Sequence, residues 1–281
     1  MAAKPRARRR SHDWRLWGIG LLLLLLFFAV RHFTGRSPTP ASQPTSSATA
    51  ADIQPTSTAN VVVGPTPNVL QQALVSVIQV VVPNDEQANS ASIGSGSVVS
   101  RHGYILTNFH VLGDDQTHQL HNRDGIILIA VPPQGQSTAA PVIRYRAELV
   151  KADYVFDLAL LRISAMQDGR ALPPDLGLTP LPIGDSATVQ IGDELTIIGY
   201  PGLGGATVTI TRGIVAGYLL DEGWLKTDAE INPGNSGGAA INRAGQLVGV
   251  PSAETRAELA PGKLGLVRPI NLAQDLLALA Q

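Results

Sequence analysis

The chain has 281 residues, 44% of them hydrophobic, which is enough to bury the core of one large domain or two small ones. Its 21 basic and 22 acidic residues give a formal net charge of -1, so no overall field attracts nucleic acid. Because there is no cysteine, disulfides, thiolate nucleophiles and cysteine-bound zinc are excluded, and a hydrolytic nucleophile would be an oxygen or a metal-bound water.

The N-terminal part of the chain predicts a membrane anchor. A basic segment, residues 1–15, precedes an apolar stretch at residues 16–33, which places the N-terminus in the cytoplasm and the remainder of the chain outside it. As a helix, the apolar run at 16–30 is about 22 Å long, shorter than the hydrocarbon core of about 30 Å. Cleavage as a signal peptide, which would give a secreted protein, is therefore the alternative. Arg31 and His32, directly after the run, favour a retained anchor.

The rest of the chain begins with a linker and continues with short strands. Residues 34–67 are rich in Pro, Ser, Thr and Ala and predict a disordered linker. A short helix is predicted at 69–74, and another at the C-terminus, at about 271–280. Between them, strands are predicted at residues 75–82, 94–99, 104–109, 126–131, 158–163, 195–198, 207–211, 239–241 and 246–250. This rhythm is typical of an all-β sandwich or barrel.

The segment 232–238, Asn-Pro-Gly-Asn-Ser-Gly-Gly, is the strongest local signal for chemistry. Glycines on both sides of Ser236 allow a tight turn that brings backbone amides close to a substrate carbonyl. The same residue types are ordinary in a turn between two strands, which is the alternative. The segment also fits the serine elbow of α/β-hydrolases, but there the histidine follows the serine, and all six histidines here precede Ser236. A base for Ser236 therefore comes from upstream.

His110 is the candidate base. It ends the strand predicted at 104–109, which would hold its ring at the edge of a sheet. Two further histidines, His118 and His121, share a loop with acidic residues. These are Asp114, Asp115 and Asp124. We interpret this loop as solvated and polar rather than as a metal site, because its side chains lie on flexible backbone with no evident supporting groups.

Asp157 is the candidate carboxylate that would hold the tautomer of the histidine. It directly precedes the apolar strand predicted at 158–163, where a carboxylate has to be either paired or exposed. An exposed aspartate at the end of a strand is the alternative. Together, Ser236, His110 and Asp157 supply a nucleophile, a base and an orienting group.

These segments resemble the trypsin-like serine proteases, and more closely their HtrA/Deg branch, here without a PDZ domain. The matching segments are residues 94–99, 104–111, 157–161 and 227–238, with His, Asp and Ser in the family's order. The resemblance implies that residues 68–281 form two six-stranded antiparallel β-barrels. The first would cover about residues 75–180 and the second about residues 181–270.

The resemblance also implies an activity and a site. His110, Asp157 and Ser236 would be the catalytic residues of a serine endopeptidase, and the backbone amides of Gly234 and Ser236 its oxyanion hole. No cofactor, metal or nucleic-acid partner is implied. The implied substrates are unfolded or damaged polypeptides outside the cytoplasm, and the implied assembly is a homotrimer formed through N-terminal segments. A catalytically silent barrel that serves as a binding or sensing module is the alternative.

The specificity pocket has two competing interpretations. Glu230 lies six residues before Ser236, where trypsin-like enzymes that select Lys or Arg carry a carboxylate. The resemblance to the HtrA-like branch favours an apolar pocket instead, formed by residues such as Val250 and Pro251. Glu230 would then face solvent or make a local hydrogen bond.

Overall fold

The structure, a computed structural model, describes residues 67–85, 90–133, 136, 139–201, 207–253 and 264–281. The predicted cytoplasmic segment and membrane anchor lie outside the described residues, as does the predicted linker up to residue 66. Pro67 begins the first helix. Within the described ranges, no helix is both long enough and apolar enough to span a bilayer.

Helix α1 (Pro67–Ser76) leads into two sets of six strands. The first set is β1 (Val77–Pro83), β2 (Ala91–Val98), β3 (Tyr104–Thr107), β4 (Ile127–Val131), β5 (Val142–Asp153) and β6 (Leu158–Met166). The second set is β7 (Glu194–Gly199), β8 (Thr209–Leu219), β9 (Trp224–Thr227), β10 (Ala239–Ile241), β11 (Leu247–Ser252) and β12 (Gly265–Pro269). The chain then ends in helical turns that contain α2 (Gln274–Leu277).

Each set of strands closes into an antiparallel barrel. The strand order is β1-β2-β3-β6-β5-β4 in the first barrel and β10-β11-β12-β9-β8-β7 in the second. The predicted fold class, two six-stranded antiparallel β-barrels, is therefore confirmed.

Strand β6 shows how the two barrels are joined. Its residues Ala159, Leu161 and Ile163 pack in the core of the first barrel, whereas Leu158 and Leu160 pack in a second core. That second core also takes side chains from β7, β10, β11 and α2, so it belongs to both barrels. Because both faces of β6 are buried, the strand appears in the sequence as an almost continuous apolar run.

Three strands, β5, β9 and β12, lie outside the predicted set. In β5 the buried Tyr145 and Ala147 alternate with the exposed Arg144, Arg146 and Glu148, which is the pattern of a strand with one face in water. An alternating strand with this many charges has no continuous apolar run, although its period of two residues is present in the sequence.

The strand predicted at 104–109 is shorter than expected. It ends at Thr107, and Phe109–Val111 form a 3-10 helix that contains His110. Asn108 Nδ2 and the Phe109 amide both donate to the carbonyl oxygen of Asp157, at 2.8 and 3.2 Å. The prediction that His110 ends a strand is therefore wrong, because the backbone at this point bonds to the Asp157 loop and not to a neighbouring strand.

Candidate active site

The side chains of Asp157 and His110 form a closely bonded pair. Asp157 Oδ2 lies 2.7 Å from His110 Nδ1, and Asp157 Oδ1 accepts a hydrogen bond from the His110 amide at 2.8 Å. The two side chains are 14% and 20% exposed, so the pair is largely shielded from water but remains open to a substrate. Two hydrogen bonds to one carboxylate fix both the backbone and the ring of His110.

The backbone of Asp157 is itself in an unusual conformation. Its φ of 55° lies in the left-handed region, which costs a non-glycine residue of order 1 kcal/mol or more. The bonds from Asn108 and Phe109 to its carbonyl oxygen oppose this cost. Such a conformation persists only where the surrounding contacts determine it, and here those contacts aim the carboxylate at His110.

Ser236 lies in a loop of the second barrel that is held by the first barrel. The Ser95 amide donates to the carbonyl oxygen of Ser236 at 2.8 Å, and Ser95 Oγ donates to that of Gly234 at 2.7 Å. At Gly237, φ is 82°, and a Cβ there would collide with Thr107 Oγ1 and with the Ser95 carbonyl oxygen. A glycine is therefore required immediately after Ser236.

Ser236 and His110 line the same cavity, which has a volume of about 390 Å³. Ser236 Oγ accepts a hydrogen bond from the Ala253 amide at 2.9 Å. That bond uses a lone pair of the oxygen and leaves the hydroxyl proton available to a base. The structure thus brings the predicted His110, Asp157 and Ser236 together at the junction of the two barrels.

Two backbone amides beside Ser236 remain available to a ligand. The amides of Asn235, Gly237 and Gly238 all donate to carbonyl oxygens and hold the loop together. Those of Gly234 and Ser236 have no acceptor within the described part of the chain, and both residues line the 390 Å³ cavity. Unpaired backbone donors beside a serine hydroxyl are the groups that an oxyanion site requires.

The structure does not bring Glu230 into this arrangement. Glu230 is exposed, and its Oε1 accepts a hydrogen bond from Asn232 Nδ2 at 3.0 Å, which is the local bond of the favoured alternative. Val250 is fully buried in the core shared by the barrels, and the carbonyl oxygen of Pro251 accepts from the Gly237 amide at 3.0 Å. A substrate-binding role for any of these three residues stays a prediction.

The two other loop histidines have their own contacts. The ring of His118 stacks on Tyr154 at 3.9 Å between centroids, and His121 Nε2 lies 3.2 Å from the carbonyl oxygen of His110. No group of three His, Asp or Glu side chains in the described ranges is arranged to hold a metal ion.

Sequence reasoning missed the residues that support the serine loop. Three fully buried hydroxyl groups donate to backbone carbonyl oxygens in or near this loop: Ser95 to Gly234, Ser97 to Gly238, and Thr107 to Ser95. A signal was present, because hydroxyl residues inside strands that are otherwise apolar have to find buried partners. The sequence does not say which partners.

Two closed antiparallel barrels, with an Asp–His pair on one and a serine loop on the other, define the class of chymotrypsin-like folds. The family model described as "Trypsin-like peptidase domain" matches residues 94–250. The chain therefore belongs to the trypsin-like peptidase family.

Similar curated proteins are named as proteases. The chain is 33% identical over 205 residues to the serine endoprotease DegS of Haemophilus influenzae, covering 70% of this chain and 52% of that protein. It is 34% identical over 191 residues to the magnetosome formation protease MamE of Paramagnetospirillum magneticum, covering 65% of this chain and 23% of MamE. The chain thus spans about half of DegS and about a quarter of MamE.

Solved structures agree with this assignment. A serine endoprotease from Yersinia pestis is 31% identical with a TM-score of 0.56, covering 75% of this chain and 65% of that one. The HtrA-type protease AlgW, solved with a tripeptide, is 28% identical with a TM-score of 0.55, covering 75% of this chain and 62% of that one.

Proposed function

We propose that this chain is a serine endopeptidase in which Ser236 is the nucleophile and His110 its base. The observation that carries the proposal is the pair of hydrogen bonds that the Asp157 carboxylate accepts from the amide and the ring of His110, beside a cavity that Ser236 also lines. Membership of the trypsin-like peptidase family and the protease names of similar proteins support it.

The chemistry follows from the positions of these groups. With Nδ1–H held by Asp157, the neutral ring of His110 presents Nε2 as a base and takes the hydroxyl proton as Ser236 Oγ attacks a peptide carbonyl. The Gly234 and Ser236 amides donate to the oxyanion. His110 then gives its proton to the amine that leaves, and an acyl ester remains on Ser236. A water that gives its proton to His110 then attacks this ester, and His110 returns the proton to Ser236 Oγ as the carboxylic acid leaves, which restores the enzyme.

We also propose unfolded or damaged polypeptides as substrates and action outside the cytoplasm. A similar protein from Pseudomonas fluorescens, 34% identical over 199 residues, is named a probable periplasmic serine endoprotease. The apolar stretch at 16–33 would anchor the chain in the membrane, and a homotrimer is the assembly to test. Light scattering of the full-length chain in a mild detergent measures the assembly.

The decisive experiment treats the full-length chain with a fluorophosphonate probe and with unfolded casein. Ser236→Ala is expected to abolish labelling and to reduce turnover on the order of a million-fold, because the nucleophile is lost. His110→Ala should reduce turnover to the same extent. His118 lies in a nearby loop and its ring stacks on Tyr154, and His118→Ala should keep turnover near that of the wild type. If the wild type neither labels nor cleaves, the chain is better explained as a silent binding module.

A further inference from the structure

A second cavity, of about 540 Å³, lies next to the one that contains Ser236. Asp157 lines this second cavity and His110 lines the first, while Asp115 lines both. Asp115 therefore stands where the two cavities meet. A polypeptide bound across the site would pass its carboxylate.

The wall of the 540 Å³ cavity has the character of a binding surface. Tyr154, Val155 and Leu220 line it and are 45%, 79% and 84% exposed. Large apolar side chains grouped around a cavity and open to water mark a place where a ligand or partner packs. Ser252, only 1% exposed, also lines the cavity, and its hydroxyl has no hydrogen-bond partner within the described residues. A buried hydroxyl needs a partner, which a polar group of a bound chain or a water would supply.

The accessible charges around the two cavities are acidic. Asp115, Asp221 and Glu222 line the larger cavity, and Asp114 lines the smaller one. Hydrogen bonds from the Thr117 amide and hydroxyl hold the pKa of the Asp114 carboxyl below its usual value, so this group stays ionised at neutral pH.

One basic side chain, Arg268, lines the larger cavity among the described residues. Arg268 is 7% exposed, and its guanidinium carbon lies 3.3 Å from the ring centroid of Trp224. Its Nη1 also donates to the carbonyl oxygen of Gly223 at 3.2 Å. The positive charge is thus held by the Trp224 ring and by the carbonyl groups of Glu222 and Gly223, while the carboxylates of Asp221 and Glu222 are exposed to an incoming side chain.

We infer that this cleft selects polypeptides with a Lys or Arg near the scissile bond, at a position other than the residue that forms the acyl ester. The inference rests on the proposed endopeptidase function. A long aliphatic stem would pack on Val155 and Leu220, and its cationic head would reach the carboxylates of Asp115 and Glu222. The net charge of the whole chain does not reveal this preference, because the charges that matter are the few that line the cleft.

The first test profiles the cleavage sites in a denatured protein mixture by mass spectrometry, using the full-length chain. We expect Lys or Arg to be enriched at one position within about four residues of the cut. Asp115→Asn and Glu222→Gln should each reduce this enrichment roughly two- to fivefold, the range of an exposed ion pair. Asp124→Asn is the matched control, since Asp124 is an exposed residue of the same loop that lines neither cavity.

The second test measures binding without turnover. In the Ser236→Ala protein, fluorescence anisotropy compares a labelled peptide that carries one Lys with the same peptide carrying Met at that position. The Lys peptide should bind more tightly, and the difference should shrink with Asp115→Asn and in about 1 M salt, where the Debye length is about 3 Å.

The outcomes separate this inference from the proposed function. Cleavage without Lys or Arg enrichment would overturn the inference and leave the endopeptidase in place, as would enrichment that survives both acidic substitutions. Absence of cleavage would contradict the endopeptidase, and the binding comparison would still decide the charge preference.

Discussion

The hydroxyl of Ser95, on the first barrel, donates to the carbonyl oxygen of Gly234, on the second, over 2.7 Å. The same hydroxyl accepts from the Tyr200 amide at 2.8 Å, and the Ser95 amide donates to the carbonyl oxygen of Ser236 at 2.8 Å. One fully buried residue of β2 thus holds the serine loop at two points and the end of β7 at a third. The backbone positions of Gly234 and Ser236 therefore depend on the contact between the barrels.

Ser95→Ala is therefore expected to weaken both stability and catalysis. The substitution leaves the Gly234 carbonyl oxygen and the Tyr200 amide without the Ser95 hydroxyl as a partner. This should lower the free energy of unfolding, measured by urea titration, by about 1–3 kcal/mol. Turnover should fall more than KM rises, because the amides that we propose bind the oxyanion lose their positions. Ser97→Ala is the control, since its hydroxyl makes one bond, to Gly238 at 3.1 Å. Equal effects of the two substitutions on turnover would contradict a special role of Ser95.

Asp157→Asn is expected to reduce turnover by about ten thousand-fold with little change in folding, because an amide at this place favours the wrong tautomer of His110. The Asn oxygen would keep the bond from the His110 amide, so its NH2 group would face Nδ1 and require Nδ1 to be the acceptor. Nε2 would then carry the proton. Nitrogen NMR of the imidazole reports this change directly, and a variant that keeps Nδ1 protonated would argue against the explanation.

Gly237→Ala should prevent the serine loop from forming. The φ of 82° strains any other residue, and the added Cβ would meet Thr107 Oγ1 and the Ser95 carbonyl oxygen. Gly192→Ala is a matched control, since φ is 93° there and a Cβ would have no neighbour within 4 Å. Gly192→Ala should cost only the backbone strain, about 1–2 kcal/mol in thermal or urea unfolding. Similar losses of stability in the two variants would exclude the steric explanation.

Thr117→Val should raise the pKa of Asp114 towards its ordinary value. The Thr117 amide and hydroxyl donate to Asp114 Oδ1 at 2.7 and 2.9 Å and are the main causes of the lowered pKa, and the substitution removes the hydroxyl. Because the folded pKa lies below the unfolded one, the carboxylate stabilises the fold above the unfolded pKa, and this contribution is lost as pH falls through the folded pKa. The destabilisation caused by Thr117→Val should therefore be seen at neutral pH and fade in acid.

Carbon NMR of the Asp114 carboxyl follows the titration of this group. Gln116→Ala, which leaves both Thr117 bonds in place, should not move its pKa. An unchanged Asp114 titration in Thr117→Val would contradict the assigned cause.

Much of the fold could be predicted from local patterns, and the failures have physical causes. Apolar runs such as 158–163 predict strands because burial on both faces leaves no place for polar residues. Strand β5 lacks such a run, since one of its faces is in water. The strand predicted at 104–109 ends at Thr107, because Asn108 and Phe109 form hydrogen bonds with Asp157, which is far away in the sequence.

The sequence by itself determined the order of the histidine, the aspartate and the serine, the glycines around Ser236 and the positions of most strands, because each depends on residue type and local spacing. Only the tertiary structure decided that the Asp157 carboxylate accepts hydrogen bonds from both the amide and the ring of His110. It also decided that the Ser95 hydroxyl donates to the Gly234 carbonyl oxygen. It also turned Glu230 to solvent and placed Asp115 where two cavities meet. These relationships join residues from separate strands and loops, and their distances are set by the closure and packing of two barrels, which no local pattern encodes.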